Sequence, residues 1–327
     1  MSENNILKGT IALIIVSLVI SFGYIFSIKY GMKITKPKKD FKYHFVLIGE
    51  EKDNPLWKEI RRGAEEAALE YNIGLEYLEP DVNNIKEQQE LLDMAFKSKV
   101  DGIIINGYEN EEIKEIIKRA YEDNIPTILL NDEVNLSKRI CYIGTNNYKA
   151  GMIAVDELKK QRRDFIKIGI ITRESEYVGE DLKLSGIMKG IKENPTMKLS
   201  AIRTFTGSKI QLYNEIVSMI RENPEINAII GGEIYDTSII GKVLVDLNKV
   251  GEISVVGYDY LDETLRYIKK GVVSSAISRN PYEIGYKSIE ILDKYKNEEF
   301  IDDVFYVDVD VINAENIDEY YGEDENE

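Results

Sequence analysis

Cysteine, histidine and tryptophan are almost missing from this chain: its 327 residues hold one of each, Cys141, His44 and Trp57. A single cysteine excludes a disulfide framework and a cysteine zinc site. A single histidine, with no His or Cys close by in sequence, leaves little scope for imidazole acid–base chemistry. His44 reads as a structural or surface residue, and Cys141, inside an apolar stretch, as a small core hydrophobe. A Ser-His-acid triad would have to use His44, and no G-x-S-x-G precedes a helix. Phosphate-binding loops are also lacking. Gly231 and Gly232 end an apolar run, but no third glycine completes G-x-G-x-x-G, and G-x-x-x-x-G-K-[ST] does not occur. Carboxylates are plentiful, yet no pattern sets two acids at one strand end, which disfavours a two-acid glycosidase. Basic charge is in deficit, 42 Lys+Arg against 58 Asp+Glu for a net charge of −16, which argues against a nucleic-acid partner. The expectation is a binder with no metal, cofactor or catalytic residue.

One feature stands apart from the rest of the composition. From Gly9 to Ile28 runs GTIALIIVSLVISFGYIFSI, uncharged and bordered by Lys8 and Lys29. A helix of about 20 residues spans the roughly 30 Å hydrocarbon layer of a bilayer. A buried core helix is the other reading, but core helices rarely lack a polar face over five turns. The run is long for a secretory signal and ends without small residues of the A-x-A kind. No cysteine follows it for lipoprotein processing. We expect an uncleaved anchor, with the anchor and its linker occupying residues 1–40. Lys29, Lys33, Lys36, Lys38 and Lys39 follow the run, which by the positive-inside bias points to a cytoplasmic domain. Long domains translocate largely regardless of that bias. Residues 1–40 hold six lysines against Glu3 and Asp40, so the remainder carries 36 basic and 56 acidic residues, a net charge of −20.

From Tyr43 onward, short β-branched runs alternate with amphipathic stretches. HFVLIG, LEYL, GIIIN, TILL and ICYIG read as strands, with helices such as PLWKEIRRGAEEAALEYN between them. A second series follows: IKIGIIT, LSAIRTF, AIIGG, SVVGY and VVSSAIS, again separated by helical stretches. The last helix begins at Pro281, where a missing N–H costs little, and FYVDVDVI reads as a final strand. Two successive βα arrays predict an α/β chain of two Rossmann-like lobes with parallel sheets. The expected bounds are 41–148 plus 280–309 for the first lobe and 149–279 plus 310–317 for the second. Residues 318–327, with six acids in ten, read as a frayed acidic tail.

In such sheets ligands sit beyond the carboxyl ends of the strands. The residues found there form a polar set: Asn54 and Trp57; Asn131 and Asp132; Asn146; Lys183; Glu233 and Asp236; Asp259; and Arg279. Carboxylates, amides and guanidinium groups suit the hydroxyls of a sugar, and an aromatic suits its C–H face. Asp and Asn at a strand–helix turn also cap helices, so each single member carries two readings. Trp57, in a first helical turn beside a polar loop, is read as a stacking ring. On that reading Trp57→Ala removes sugar-induced stabilisation and leaves the fold intact.

The segments NPLWKEIRRGAEEAALEYNIGLEYLEPD, VDGIIING, IPTILLND, YIGTNNYKAGMIAVDEL, VVGYD and ISRNPYEIGYKSIEIL, in this order and spacing, resemble the type I periplasmic sugar-binding proteins. These are the ribose- and galactose-binding relatives that share a fold with the ligand domains of LacI-type repressors. The resemblance covers residues 43 to 317. It implies two lobes joined by three crossovers and closing on a sugar. Asn54 and Trp57 fall where the family places a first-loop amide and a stacking aromatic. Lys183 matches a basic position, and Asp259 the acid after the VVG strand. Asn131 and Asp132 stand where an acid and an arginine are usual, and Arg279 where Gln is usual. Glu233 or Asp236 takes the next polar role, depending on a short gap. The implied partners are a small carbohydrate and either an ABC permease or a membrane histidine kinase. A DNA-binding repressor fails, because residues 1–42 hold no helix-turn-helix. A sugar-modifying enzyme and a cytoplasmic-facing sugar-sensing domain are the alternatives.

Overall fold

The computed structural model describes residues 40–81, 84–161, 164–173, 178–205 and 208–320. The apolar run at 9–28 and its lysine-rich continuation lie outside the described residues, as does the tail from 321. Among the described residues no helix is long and apolar enough to cross a membrane.

The first series folds as β1 (Tyr43–Ile48), α1 (Pro55–Glu70), β2 (Ile73–Leu78), α2 (Ile85–Lys97), β3 (Gly102–Asn106), α3 (Glu111–Glu122), β4 (Thr127–Leu130) and β5 (Cys141–Thr145). The second comprises α4 (Asn147–Lys159), β6 (Ile166–Arg173), α5 (Val178–Lys192), β7 (Met197–Phe205), α6 (Lys209–Glu222), β8 (Ala228–Ile230), α7 (Ile234–Asp246), β9 (Ser254–Tyr258), α8 (Asp262–Lys269) and β10 (Ser275–Ser278). The chain then runs through α9 (Pro281–Lys296), β11 (Val304–Val307), β12 (Asp310–Asn313) and a 3-10 turn at Ile317–Tyr320.

Two six-stranded sheets result, ordered β11-β5-β4-β3-β1-β2 and β12-β10-β9-β8-β6-β7. The first is parallel throughout; in the second only β12 runs antiparallel, against β10. Strand alternation explains the layering. Phe45 and Leu47 pack with α1 and α9 on one face of the first sheet, while Val46 and Ile48 pack with α2 and α3 on the other. In the second sheet Ile168 and Ile170 pack with α4 and α5, whereas Ile229 and Val255 pack with α6, α7 and α8. Fully buried faces on both sides account for uninterrupted runs such as GIIIN and TILL.

Three stretches cross between the sheets: β5 to α4, β10 to α9, and β11 to β12. The segment FYVDVDVI is therefore two strands in different sheets rather than one. Its regular alternation hides the switch, because Asp308 and Val309 continue the period while carrying the chain across. The tail expectation is corrected too. Ile317 is buried, and the Tyr320 ring sits edge-on to Tyr260 at 5.5 Å, so the chain is docked as far as residue 320.

Candidate functional site

β1 ends at Ile48 and delivers Gly49 and Glu50 to the carboxyl edge of the first sheet. The buried Gln88 of α2 holds this turn by donating its Nε2 protons to the carbonyls of Gly49 (2.6 Å) and Glu50 (2.8 Å). The Glu50 carboxylate receives the Trp57 indole N–H at 3.2 Å. Asn54 caps α1, its Oδ1 accepting the Leu56 N–H at 3.0 Å. β4 ends in Asn131, held at a left-handed φ of 60°. Asn131 donates from Nδ2 to Asn106 Oδ1 at 3.0 Å, and its carbonyl accepts the Tyr142 hydroxyl at 2.8 Å. Asp132 comes next.

On the second lobe, Lys183 of α5 is 5% exposed. Its Nζ donates to the Gly232 carbonyl at 2.5 Å, pairs with Glu233 Oε1 at 3.3 Å, and lies 4.6 Å from the centre of the Tyr258 ring. β9 delivers Asp259, which is buried at a left-handed φ of 47°. Its carboxylate accepts the Arg279 backbone N–H (3.1 Å), Nε (2.7 Å) and Nη2 (2.5 Å). Arg279 Nη2 also stands 3.9 Å from Glu233 Oε2. Several other left-handed residues, such as Asn72, Lys99 and Asn124, simply follow helix ends, whereas Asn131, Asp259 and Asn280 follow β4, β9 and β10. Backbone strain of this kind collects at functional sites.

The two groups meet. A Cβ built on Gly179, in the first turn of α5, would stand 3.1 Å from Asp132 Oδ1, so this carboxylate faces the opposite lobe's helix start. Asp132 also feels Arg279, Glu50, Glu233 and Lys183 electrostatically. Burial pushes its carboxyl up to about 7, with Arg279 opposing and Glu50 and Glu233 adding. Burial likewise raises Glu50, against the pull of the Trp57 indole.

A pH prediction follows from the Asp132 shift. Between about pH 4, the ordinary aspartate value, and about 7, the folded chain holds a proton that the unfolded chain releases. This group therefore makes the unliganded protein less stable as pH rises through that window. Melting temperature should fall less steeply over the same window in Asp132→Asn. An unchanged slope in melting curves recorded at half-unit pH steps would contradict the shift.

Of the ten residues read from strand ends, Asp132, Lys183, Glu233, Asp259 and Arg279 come together, with Asn131 beside them. Asn146 is the cap of α4, accepting the Lys149 N–H at 2.9 Å. Asp236 is fully buried, and its Oδ2 accepts the Gly232 (3.3 Å) and Glu233 (3.0 Å) N–H groups. Between the two acids after β8, Asp236 thus braces the turn and Glu233 joins the cluster. Trp57 requires correction. It is 1% exposed and packs with Leu56, Ile60 and Ile284, so its ring presents no open face and only its N–H reaches the site. Truncating it would empty a core position, and a lost sugar response in Trp57→Ala would report damage to the fold. Glu50 was missed. It stands two residues beyond β1, nearer the strand end than the Asp53–Trp57 stretch that sequence alone singles out. His44 is half-exposed, 3.2 Å from Glu76, and the buried Cys141 thiol is pushed up to about 12 by burial, so both match their expected structural roles.

A cavity of about 1010 Å³ flanks this cluster on the crossover side, lined among others by Arg62, Asp259, Tyr260, Asn280, Tyr282 and Tyr320.

Two parallel-sheet lobes with charged groups meeting at their strand ends define a two-lobed solute-binding protein. The family comparison agrees: residues 45–299 match the periplasmic binding protein domain, and the chain belongs to that family. It is similar to the D-allose-binding periplasmic protein of Escherichia coli K12, 20% identical over 260 residues covering 76% of this chain and 83% of the relative. It is also similar to the ribose import binding protein RbsB of the same organism, 23% identical over 275 residues, 82% of this chain and 89% of that one. Among solved structures it resembles GanP, a glucose-galactose binding protein from Geobacillus stearothermophilus, with 29% identity, a TM-score of 0.77, and coverage of 84% of this chain and 98% of the other. A XylFII–LytSN complex matches at 29% identity and a TM-score of 0.74, covering 84% of this chain and 99% of that chain. These relatives are binding proteins, and this chain is a binding protein rather than an enzyme.

Proposed function

We propose that the chain is a membrane-anchored, extracytoplasmic receptor that closes on a small carbohydrate held between its lobes. The observation that carries this reading is the meeting of Glu50 and Asp132 from one lobe with Lys183, Glu233 and Arg279 from the other. Only groups contributed by both lobes let a ligand favour the closed state over the open one. A micromolar ligand needs about 8 kcal/mol, which a few charge-assisted hydrogen bonds of roughly 1.5–3 kcal/mol each supply after ordering costs. The ligand set we assign is Glu50, Asp132, Lys183, Glu233, Asp259 and Arg279, shaped by Asn54, Asn131, Asn146 and Asp236. The lobe bounds we assign remain 41–148 with 280–309, and 149–279 with 310–317.

For the output of closure we favour sensing through a membrane histidine kinase. The likeness to XylFII bound to LytSN supports it, and so does an uncleaved anchor, which raises the local concentration of binder beside its partner. Delivery to an ABC permease is the second reading, favoured by relatives named as import binding proteins. The test is a thermal-shift screen of the full chain in detergent against monosaccharides, sugar acids and small polar metabolites. At a hundredfold excess over its Kd a ligand stabilises by about 2.7 kcal/mol, so at least one monosaccharide should raise the melting temperature. A shift with non-sugar metabolites alone would overturn the carbohydrate reading. Protection of the domain from protease on intact cells would overturn the extracytoplasmic one.

A further inference from the structure

The cavity of about 1010 Å³ lies beside the residues that meet between the lobes and is distinct from them. Of that group only Asp259 borders it; Glu50, Asp132, Lys183, Glu233 and Arg279 do not. The two spaces are nevertheless adjoining. Ser278 and Asn280, which flank Arg279, line the cavity, and so do Pro55 and Leu56, which follow the Asn54 cap. Both lobes supply walls. Arg62 of α1 and Tyr282 of α9 come from the first, Tyr260 beyond β9 and Arg266 of α8 from the second, and Tyr320 from the closing 3-10 turn. Burial pushes the Tyr260 hydroxyl up to about 12, with Glu59 of the opposite lobe adding and Arg62 opposing, so the walls stand within electrostatic reach of each other.

The three tyrosines serve this cavity differently. Tyr282 is engaged on its own lobe, with the Arg62 guanidinium 4.4 Å from its ring centre. Tyr260 and Tyr320 meet edge to face, 5.5 Å apart and at 78°. A T-shaped pair covers a single ring face and leaves the others outside the contact. Neither phenol hydroxyl makes a hydrogen bond among the described residues, and neither does the Arg266 guanidinium. We propose that the cavity is a second sugar subsite and that the ligand is a disaccharide, one unit held by the charged groups between the lobes and the other by Tyr260, Tyr320 and Arg266. This rests on the carbohydrate reading above and extends it. Pockets for small ligands measure about 300–1,000 Å³, so the cavity has the volume of a whole site in addition to the space at the cluster. A second sugar ring brings a C–H face for an aromatic and hydroxyls that both donate and accept. The phenols and Arg266 offer donors. Asn280 donates from Nδ2 to Asp310 and Glu283, each at 3.3 Å, which leaves its side-chain carbonyl as an acceptor at the junction of the two spaces. The docking of the chain end as far as Tyr320 then has a purpose, since that turn completes the wall.

The experiment is titration calorimetry on the full chain in detergent. The probes are lactose, melibiose, maltose, cellobiose and xylobiose, each beside its constituent monosaccharides. At least one disaccharide should bind about tenfold or more tighter than either constituent, an increment that one charge-assisted hydrogen bond or one stacked ring supplies. Tyr320→Ala and Arg266→Ala should each remove most of that gain and leave the affinity for the constituents within about twofold. Arg266 is exposed and makes no side-chain bond, so its variant serves if Tyr320→Ala, which removes a ring packed on Tyr260, does not fold. A monosaccharide bound as tightly as every disaccharide that contains it overturns the inference and leaves the carbohydrate reading standing. So does a disaccharide preference that survives both substitutions. Binding of no probe overturns the inference and counts against the carbohydrate reading as well.

Discussion

Arg279→Met should destabilise the protein by about 3 kcal/mol and abolish its response to ligand. Asp259 is 3% exposed and spends its carboxylate on the Arg279 backbone N–H, Nε and Nη2. Removing one partner of a buried pair costs about 3–5 kcal/mol, and here the surviving Asp259 carboxylate stays buried with only the backbone N–H of position 279 as a donor. The lower end applies here, since the Arg279 side chain keeps 21% exposure and some solvent screening. Urea unfolding with an unchanged m-value would measure the loss. Adding Asp259→Asn to this variant removes the stranded charge. Much of the stability should then return, while the ligand response stays lost. A single-variant cost below about 1 kcal/mol would show that the clamp contributes little.

Gly285→Ala should be comparably damaging, through backbone contact alone. α1 and α9 touch without intervening side chains: a Cβ on Gly285 would stand 1.8 Å from the Ile60 carbonyl oxygen and 3.0 Å from the Ala64 nitrogen. The same holds in reverse, since a Cβ on Gly63 would stand 2.0 Å from the Tyr282 carbonyl oxygen. Alanine gains about 1 kcal/mol of helix propensity over glycine. An overlap of this depth forces two helices apart, and such overpacking costs about 1–3 kcal/mol or more. The net expectation is a loss of about 2 kcal/mol, together with weaker ligand binding. Binding suffers because α9 begins just after Asn280, and α1 carries Asn54 and Trp57 at its start. A variant as stable as the original chain would show that the helices can separate freely.

Much of this architecture was legible in the sequence because burial leaves a periodic trace. Each strand of the two series lies where its apolar run predicts, and α9 starts at Pro281 as that proline indicates. Where the trace is indifferent to a change of sheet, as through Asp308 and Val309, reading stopped short. At the site, position was easier to read than role. Asn54, Asn146, Asp236 and Asp259 all follow strands, and only three-dimensional contacts separate a cap from a residue that meets the opposite lobe. Trp57 is different, because the signal was present: spacing of three and four through Ile60, Ala64 and Ala67 puts it on the apolar stripe of α1. Its chemical rarity outweighed its register. Glu50 went unseen for the opposite reason, as one glutamate among many in an acidic chain.

The three crossings bear on how such a molecule reports what it holds. β5 and β11 are neighbours at one edge of the first sheet, and β10 and β12 are neighbours at one edge of the second. The tethers are short and stand side by side, so they act like knuckles on a single pin. Three short tethers in a row oppose sliding and twisting more than a change in the one angle between the sheets. Any occupant of the cleft, whatever its chemistry, must express itself through that angle. On the sensing or delivery role proposed above, a partner would then gauge one number rather than a shape.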